Sequence, residues 1–186
     1  MLKKILTWPN NVLKLKCQPV AKFDDETKNV IIDMIDTCNI NFGAGIAAPQ
    51  IGVSKKIVVI KAKGMLENNI SPSSYNEDYM VLINPVIEVS GEKKEWTEAC
   101  LSLPDVKGKV ERYSLCSVVF SDENGETKRL NAGWPFSGVL QHEIDHLDGK
   151  LYHERMDKRK RRMMMWEVSR IKRKKEIAAR KRKNVS

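Results

Sequence analysis

Apolar residues recur at helical spacing in two segments of the chain. Between Asp24 and Asn41 they fall three and four residues apart, and the acidic residue at position 24 or 25 can cap the first turn. A second helix is predicted to begin near Pro135 or Ser137 and to stop at Gly149. The inward face of this second helix would consist of Val139, Leu140, His142, Glu143, His146 and Leu147. The pattern thus places two histidines and a glutamate in a row of core positions.

Short runs of aliphatic and β-branched residues predict strands between the helices. The clearest are residues 57–60 and 80–89, and the polar stretch between them, residues 68–76, is expected to be a surface loop. Further strands are predicted over residues 93–96, 109–120 and 127–130, and the Asn124-Gly125 pair between the last two is typical of a hairpin turn. Strands therefore outnumber helices in this part of the chain.

The C-terminal segment has a different composition from the rest. The chain has 33 Lys and Arg against 24 Asp and Glu, a formal net charge of +9. Residues 155–186 hold 15 of the basic and 3 of the acidic residues, which leaves 18 basic and 21 acidic residues in 1–154. We expect a globular body over residues 1–154 and a basic helical extension over residues 155–186. Met164, Trp166, Val168 and Ile171 are predicted to dock the extension, and beyond Lys172 a solvated or frayed helix is expected.

Three features of the sequence bear on the location of the protein. No apolar run reaches the roughly 20 residues that a membrane-spanning helix needs. The apolar stretch after Lys3 and Lys4 is interrupted at Pro9, so it is too short for the core of a signal peptide. Neither a disulfide framework nor a zinc ribbon is indicated, since no C-x-x-C pair occurs among Cys17, Cys38, Cys100 and Cys116. We therefore expect a cytoplasmic protein, or the mature form of an organellar one, without a membrane partner.

Residues 141–146, with the sequence QHEIDH, form a candidate metal site. On a helix, His142 and His146 lie one turn apart on the same face and can hold one divalent cation. Glu143 stands beside them and can act as a base on a water molecule rather than as a ligand. A catalytic metal site needs a third protein ligand and an open position, so another segment must supply that ligand.

Two further segments are ambiguous on their own. Gly43 is expected to terminate the first helix in the left-handed conformation. Residues 43–50 are either an ordinary connector or a backbone that lies against a ligand, with Gln50 aiming its amide at that ligand. Cys100 precedes a turn that ends at Pro104, and a cysteine in such a place is either packed in the core or bound to a metal.

Together, these three segments resemble the three signature motifs of the peptide deformylase family. The segments are GAGIAAPQ (residues 43–50), EACLS (residues 98–102) and QHEIDHLDG (residues 141–149), in the family's order and at similar spacing. The similarity covers nearly the whole chain, including the basic C-terminal helix of bacterial members. It implies an α+β fold in which antiparallel strands pack around a central metal-binding helix, with an N-terminal helix and the basic helix outside.

The resemblance also implies an activity and a metal. The reaction is removal of the formyl group from the N-terminal formylmethionine of nascent polypeptides, with release of formate. Cys100 is identified as the third ligand beside His142 and His146. A thiolate with two imidazoles suits Fe²⁺, Zn²⁺, Ni²⁺ or Co²⁺ rather than Mg²⁺ or Ca²⁺, and the family favours Fe²⁺.

Further roles follow from the same resemblance. Glu143 would act as general base and then as general acid, while the Gln50 side chain and the Leu101 backbone N–H stabilise charge on the formyl oxygen. The methionine side chain and the peptide backbone would be bound by Gly43, Ala44, Gly45, Gly138 and Val139. The protein is expected to be a monomer whose residues 155–183 contact ribosomal RNA in a salt-dependent manner.

Two residues depart from the family pattern. Ala44 stands where a larger aliphatic residue is usual, which would widen the methionine pocket. Ala99 stands in place of a glycine, so its φ is expected to be negative, because a Cβ disfavours the left-handed region.

Two other functions fit parts of the sequence. A zincin-type metallopeptidase shares the His-Glu-x-x-His motif but takes its third ligand downstream of the helix. The downstream candidates are His153, Glu154, Glu167 and Glu176. A nucleic-acid-binding protein with a structural metal would instead account for the +12 charge of residues 155–186.

Overall fold

The computed structural model describes residues 1–62, 73, 76 and 78–183, and within them the fold is α+β, as predicted. The helices are α1 (Asp25–Ile40), α2 (Phe136–Leu147) and α3 (Lys158–Lys183). The strands are β1 (Gly45–Ala47), β2 (Ile57–Lys61), β3 (Tyr79–Cys100), β4 (Leu103–Ser121) and β5 (Thr127–Ala132). Short 3₁₀ turns occur at Asn11–Lys14, Ala48–Ile51 and Tyr152–Arg155. Most of the loop predicted over residues 68–76 lies outside the described residues.

The five strands form one antiparallel sheet in the order β1-β2-β3-β4-β5. The strands predicted over residues 80–89 and 93–96 are a single strand, β3, which pairs with β4 along nearly its whole length. The register shifts between Ser90 and Lys93, where Gly91 has a φ of +77°. A glycine at this shift lets the strand bend without ending, because it tolerates positive φ. The sequence pattern therefore predicted a break between two strands, whereas β3 continues through it.

Helix α1 begins and ends close to its predicted limits. The Asp24 carboxylate accepts a hydrogen bond of 3.1 Å from the Thr27 backbone N–H, and the apolar face is buried. At the C-terminus, however, Phe42 rather than Gly43 takes the left-handed conformation, with a φ of +54°. The Gly43 N–H donates to the Cys38 carbonyl over 3.0 Å, as in a Schellman motif whose left-handed position is not a glycine. The prediction for Gly43 was wrong.

Helix α2 is the centre of the molecule. The prediction gave it one inward face, but every residue except Val139 is buried. Its apolar residues join the core formed by β2 to β5, which includes Val58, Leu82 and Val118. On another side of the helix, Gln141 bonds to the backbone N–H and carbonyl of Tyr113 in β4. The helix is thus enclosed by the sheet and held in a fixed position.

Helix α3 packs on the body with one side only. Met164 is buried and Met165, Val168 and Ile171 are partly buried in a cluster with Tyr152. Trp166, which was predicted to dock the helix, is 67% exposed, so that prediction was wrong. Beyond position 171 the side chains described are exposed, and the helix continues to Lys183. Among the helices of the described residues, none is both long and apolar enough to cross a membrane.

Candidate active site

Three predicted metal ligands come together at the centre of the fold. Cys100 is the last residue of β3, and His142 and His146 lie one turn apart on α2. Their ligand atoms all lie within 4.8 Å of one another, and the Cys100 Sγ is 3.3 Å from the His146 Nε2. All three residues are buried. The strand and the helix thereby present one thiol and two imidazoles to the same point.

The orientation of His142 is fixed by Glu98. The His142 Nδ1 lies 2.6 Å from the Glu98 Oε2, which leaves its Nε2 for the ligand cluster. Glu98 is itself held by the guanidinium of Arg112, whose Nε and Nη2 donate over 2.7 and 3.1 Å. Trp96 donates its indole N–H to the Oε1 of the same carboxylate over 2.9 Å. A histidine oriented in this way has a defined tautomer and a defined ring position.

The chain of ion pairs continues from Arg112 to the surface. The Arg112 Nη1 donates to the Asp145 Oδ2 over 2.6 Å, and Arg155 donates to both oxygens of Asp145 over 3.0 and 2.5 Å. The sequence analysis did not name Arg112, and it gave no role in this network to Asp145 or to Arg155, which was assigned to the RNA-contacting segment. One signal was present: in β4, residues 110, 112, 114, 116 and 118 alternate inward, and Arg112 is the only charged residue of the five. A charged residue on the buried side of a strand needs a partner.

Two buried carboxyl groups in the site have pKa values shifted in opposite directions. Burial alone would raise the pKa of Glu98, but hydrogen bonds from His142 and Arg112 outweigh it and lower the pKa to about 2. The Glu143 Oε2 is buried without a hydrogen-bond partner among the described residues, and desolvation raises the pKa of Glu143 to about 7. A carboxyl group with such a pKa can both accept and donate a proton at neutral pH. Glu143 is therefore suited to proton transfer, whereas Glu98 is suited to holding His142.

Glu143 lies against the backbone of β1. A Cβ added to Gly45 would stand 2.9 Å from the Glu143 Cγ, which is closer than real Cβ contacts. Only a residue without a side chain allows the carboxylate to occupy this place. The prediction that missing side chains at residues 43–50 let the backbone lie close to a site is consistent with this contact.

The Gln50 amide is held with its nitrogen toward the thiol. Its Oε1 accepts from the Ala47 backbone N–H over 2.8 Å, so the NH₂ group points the other way. That group donates to the Ser102 Oγ over 3.2 Å and lies 3.5 Å from the Cys100 Sγ. Leu101 follows Cys100 in the turn between β3 and β4 and borders the same cavity. Both predicted donors therefore lie beside the ligand cluster.

A cavity of about 800 Å³ opens onto these groups. Its walls include four of the five predicted substrate-binding residues, namely Gly43, Ala44, Gly45 and Val139. Gly138 is not among its lining residues. A Cβ on Gly138 would lie 3.1 Å from the Trp96 ring, so this glycine allows the indole to pack on α2. Ala99 also borders the cavity and has no positive φ, as predicted.

The residues fit a bound transition metal. The donor set combines a soft thiolate with imidazoles, which favours Fe²⁺, Zn²⁺, Ni²⁺ or Co²⁺ over Mg²⁺ or Ca²⁺. The His146 Nδ1 and the Glu143 Oε2 are buried polar atoms without a hydrogen-bond partner in the described part of the chain. The cluster does not include the downstream residues that a zincin-type site would use, His153, Glu154, Glu167 or Glu176.

Comparison with known proteins gives a consistent result. The family model for polypeptide deformylase matches residues 2–162. A peptide deformylase of Pelagibacter ubique is 36% identical over 172 residues, which cover 92% of this chain and 95% of that protein. One from Helicobacter hepaticus is 34% identical, with 90% and 91% covered. The crystal structure of a peptide deformylase from Legionella pneumophila superposes with a TM-score of 0.82 at 34% identity, covering 95% and 98%. A peptide deformylase of Synechococcus elongatus in complex with actinonin has a TM-score of 0.77 at 31% identity, covering 90% and 86%.

Proposed function

The chain belongs to the peptide deformylase family, a family of hydrolases that remove the N-formyl group from nascent peptides, and from this premise we propose how its own residues carry out that reaction. The observation that carries the proposal is the convergence of Cys100, His142 and His146 beside Glu143 and Gln50 in one cavity. A zincin-type peptidase would take its third ligand from downstream of α2, and no described residue from that part of the chain belongs to this cluster.

Cys100, His142 and His146 hold one divalent metal, and Fe²⁺ is the metal we propose. The support is the donor set and the family resemblance of the three motifs. When bound, such a metal supplies Lewis-acid chemistry that activates water at neutral pH and polarises a carbonyl group. Glu98 keeps the His142 ring in place through the bond of 2.6 Å.

Glu143 moves the proton in both halves of the reaction. As the attacking water loses its proton, the buried carboxylate accepts it, and the same proton later goes to the departing amine. The position of Glu143 against Gly45 supports this role, because a peptide that runs along β1 would place its first amide close to the carboxylate. No other described carboxylate in the cavity is both buried and without a hydrogen-bond partner for one of its oxygens.

Gln50 and Leu101 stabilise the negative charge that develops on the formyl oxygen. The Gln50 NH₂ group is turned toward the site by the Ala47 N–H, which occupies the amide oxygen. A donor that is fixed before the reaction stabilises developing charge without reorganisation. The Leu101 backbone N–H is the second donor, at the turn immediately after the thiol ligand.

Substrate is bound along the cavity wall. Gly43, Ala44, Gly45 and Val139 would contact the methionine side chain and the peptide backbone, and Gly138 would act indirectly, by allowing Trp96 to pack on α2. An unbranched thioether is recognised through buried area rather than directed bonds. Ala44 leaves more room than a larger aliphatic residue would, so we propose a wider pocket than is usual in the family.

The function is tested by an anaerobic preparation with its metal content determined on the same sample. The expected result is formate release from a formyl-Met tripeptide with about one equivalent of metal, and no release of amine from an internal peptide bond. Cys100→Ser should lose both metal and activity. Metal retained without formate release would contradict the assignment.

Helix α3 is proposed to bind ribosomal RNA through its solvent-facing side. Arg173, Lys174 and Arg180 are exposed, and Lys and Arg contacts to phosphates release counterions. We propose a cytoplasmic location, which agrees with the four free cysteines. The protein is proposed to be a monomer. Its chain is divided into the body, residues 1–154, and the extension, residues 155–186.

The ribosome proposal is tested by co-sedimentation at several salt concentrations. Changing Arg173, Lys174 and Arg180 to Glu should weaken binding and lower the slope of log affinity against log salt by roughly 2 to 3, since each phosphate that is no longer neutralised reduces it by about one. The combination of Lys93→Glu, Lys94→Glu and Lys109→Glu, on exposed residues of β3 and β4, is the control with the same change of net charge. Equal effects of both variants would contradict a site on α3.

A further inference from the structure

A second cavity lies next to the active site. Its volume is about 740 Å³, and it is bounded by the N-terminal segment, the start of β4 and helix α3. Four of its lining residues also line the active-site cavity: Thr7, Leu103, Pro104 and Asp105. The two cavities therefore share a wall and lie side by side along the start of β4.

Helix α3 forms the outer wall of this second cavity with one of its faces. Helix α3 contributes Val168, Ile171, Lys172, Lys175 and Glu176, at spacings that place them on one side of a helix. The opposite wall contains the apolar residues Trp8 and Pro9 together with the polar residues Thr7, Asn10 and Ser102. A groove with apolar residues on both walls suits a chain with apolar side chains.

Asp105 connects the two cavities to α3. Its Oδ2 lies 2.5 Å from the Lys175 Nζ, an ion pair between residues 70 positions apart. Its φ is +68°, one of three positive values among the described non-glycine residues. Such a conformation persists where the surrounding structure imposes it. The ion pair with Asp105 thus places Lys175 of α3 beside the point where the cavities meet.

We propose that the two cavities form one continuous groove, and that the second cavity holds residues of the formylated peptide downstream of the first three. This inference rests on the proposed function. A nascent peptide whose first residue is bound at the metal must continue away from it, and the shared wall at Leu103 and Pro104 leads to α3. Helix α3 then selects for apolar side chains in that downstream segment.

The first test compares substrates of different length on the metal-loaded, full-length protein. A formyl-Met tripeptide fills only the active-site cavity, whereas formyl-Met octapeptides carry either Leu or Ser at residues five to seven. We expect the Leu octapeptide to have a kcat/KM at least about fourfold above that of the Ser octapeptide, the effect of burying one methylene group. The difference between the two octapeptides should appear in KM rather than in kcat, because the contacts of residues five to seven are remote from the reacting bond.

Matched variants of α3 test the location. Ile171→Ala should remove at least half of the advantage of the Leu octapeptide, measured as the ratio of its kcat/KM to that of the Ser octapeptide. This ratio cancels any loss of folded enzyme. Ile177→Ala changes the same residue type on the same helix, but Ile177 is exposed and does not line the groove, so it should leave the ratio unchanged. Lys175→Ala should lower the same ratio at a position where folding is not at risk, because Lys175 is exposed, and Lys160→Ala, also exposed on α3 but outside the groove, is its control.

The possible failures of the two proposals can be told apart. Absence of formate release from the tripeptide would overturn the proposed function. Normal turnover of the tripeptide with equal kcat/KM for the Leu and Ser octapeptides would overturn the groove alone. Equal losses in Ile171→Ala and Ile177→Ala would also overturn it, since they would point to a general effect of the helix.

Discussion

Helices α2 and α3 carry polar side chains in opposite ways. In α2 the polar residues are buried, and each described contact is specific: His142 with Glu98, Gln141 with Tyr113, Asp145 with Arg112. In α3 the charged residues face outward, and the few ion pairs that they make lie at the surface. These polar residues of α2 therefore act through specific partners at fixed distances. The charges of α3 act together, through the field that they produce.

The largest expected difference between the helices is in catalysis. Glu143→Gln should lower kcat/KM on a formyl-Met tripeptide by about 10²- to 10⁴-fold, the usual effect of losing a general base. Glu167→Gln makes the same change on α3, where the side chain is about half exposed, and should leave kcat/KM within about twofold. Metal content should be unchanged in both variants. Near-normal turnover in Glu143→Gln would remove the proposed role of α2 in proton transfer.

The next largest difference is in stability. Arg112→Ala leaves Glu98 and Asp145 buried without their shared cation, so the free energy of unfolding should fall by about 3–5 kcal/mol, measured in urea. Arg170→Ala removes an exposed arginine of α3 and should cost less than about 1 kcal/mol. A second readout is metal affinity, which should fall by about 10- to 100-fold in Arg112→Ala because His142 loses its support. Equal losses of stability would contradict the contrast between the helices.

Removal of the metal should change the stability of α2 but not that of the end of α3. A metal at 1,000 times its dissociation constant stabilises the native state by about 4 kcal/mol, so chelation should lower Tm. Amide hydrogen exchange should accelerate in α2 and at the end of β3, where the ligands lie. Exchange in residues 177–180 should not change, because their described side chains are exposed and do not line the second cavity. Faster exchange confined to α3 would mean that the metal is bound elsewhere.

The smallest expected effect concerns the ion pair between α3 and β4. Lys175→Ala should change the free energy of unfolding by less than about 1 kcal/mol, since both side chains are about half exposed or more. Asp145→Asn, by contrast, weakens a pair of ionic contacts at the buried end and should cost clearly more. If Lys175→Ala were the more destabilising of the two, the conclusion that the buried contacts of Asp145 contribute more stability than the exposed pair of Lys175 would be wrong.

The sequence predicted the parts of the fold that depend on local patterns. The limits of α1, the Asn124-Gly125 turn and the start and stop of α2 follow from capping, turn chemistry and periodicity. The prediction failed where a tertiary contact decides. Trp166 lies on the wrong side of α3 to reach Tyr152, and Phe42 takes a conformation that glycine usually provides. Neither the exposure of Trp166 nor the conformation of Phe42 can be predicted from the neighbouring residues in the sequence.

The same limit applies to the site. His142, Glu143 and His146 could be inferred from their spacing, because a single helix holds them. Cys100 could be named only through the family resemblance, since the residues around it fit a packed thiol equally well. The network of Glu98, Arg112, Asp145 and Arg155 was not found, because its members come from different elements and meet only in the folded protein.

The ligand set has a topological consequence. A metal bound by Cys100 and His146 joins residues 46 positions apart, as a disulfide between them would. By the loop-closure argument for disulfides, a permanent link of this length would disfavour the unfolded chain by roughly 4 kcal/mol. Unlike a disulfide, this closure opens when the metal leaves and needs no oxidant to form. A metal bound there would act as a reversible cross-link, available in a reducing environment, between the β3–β4 hairpin and the central helix.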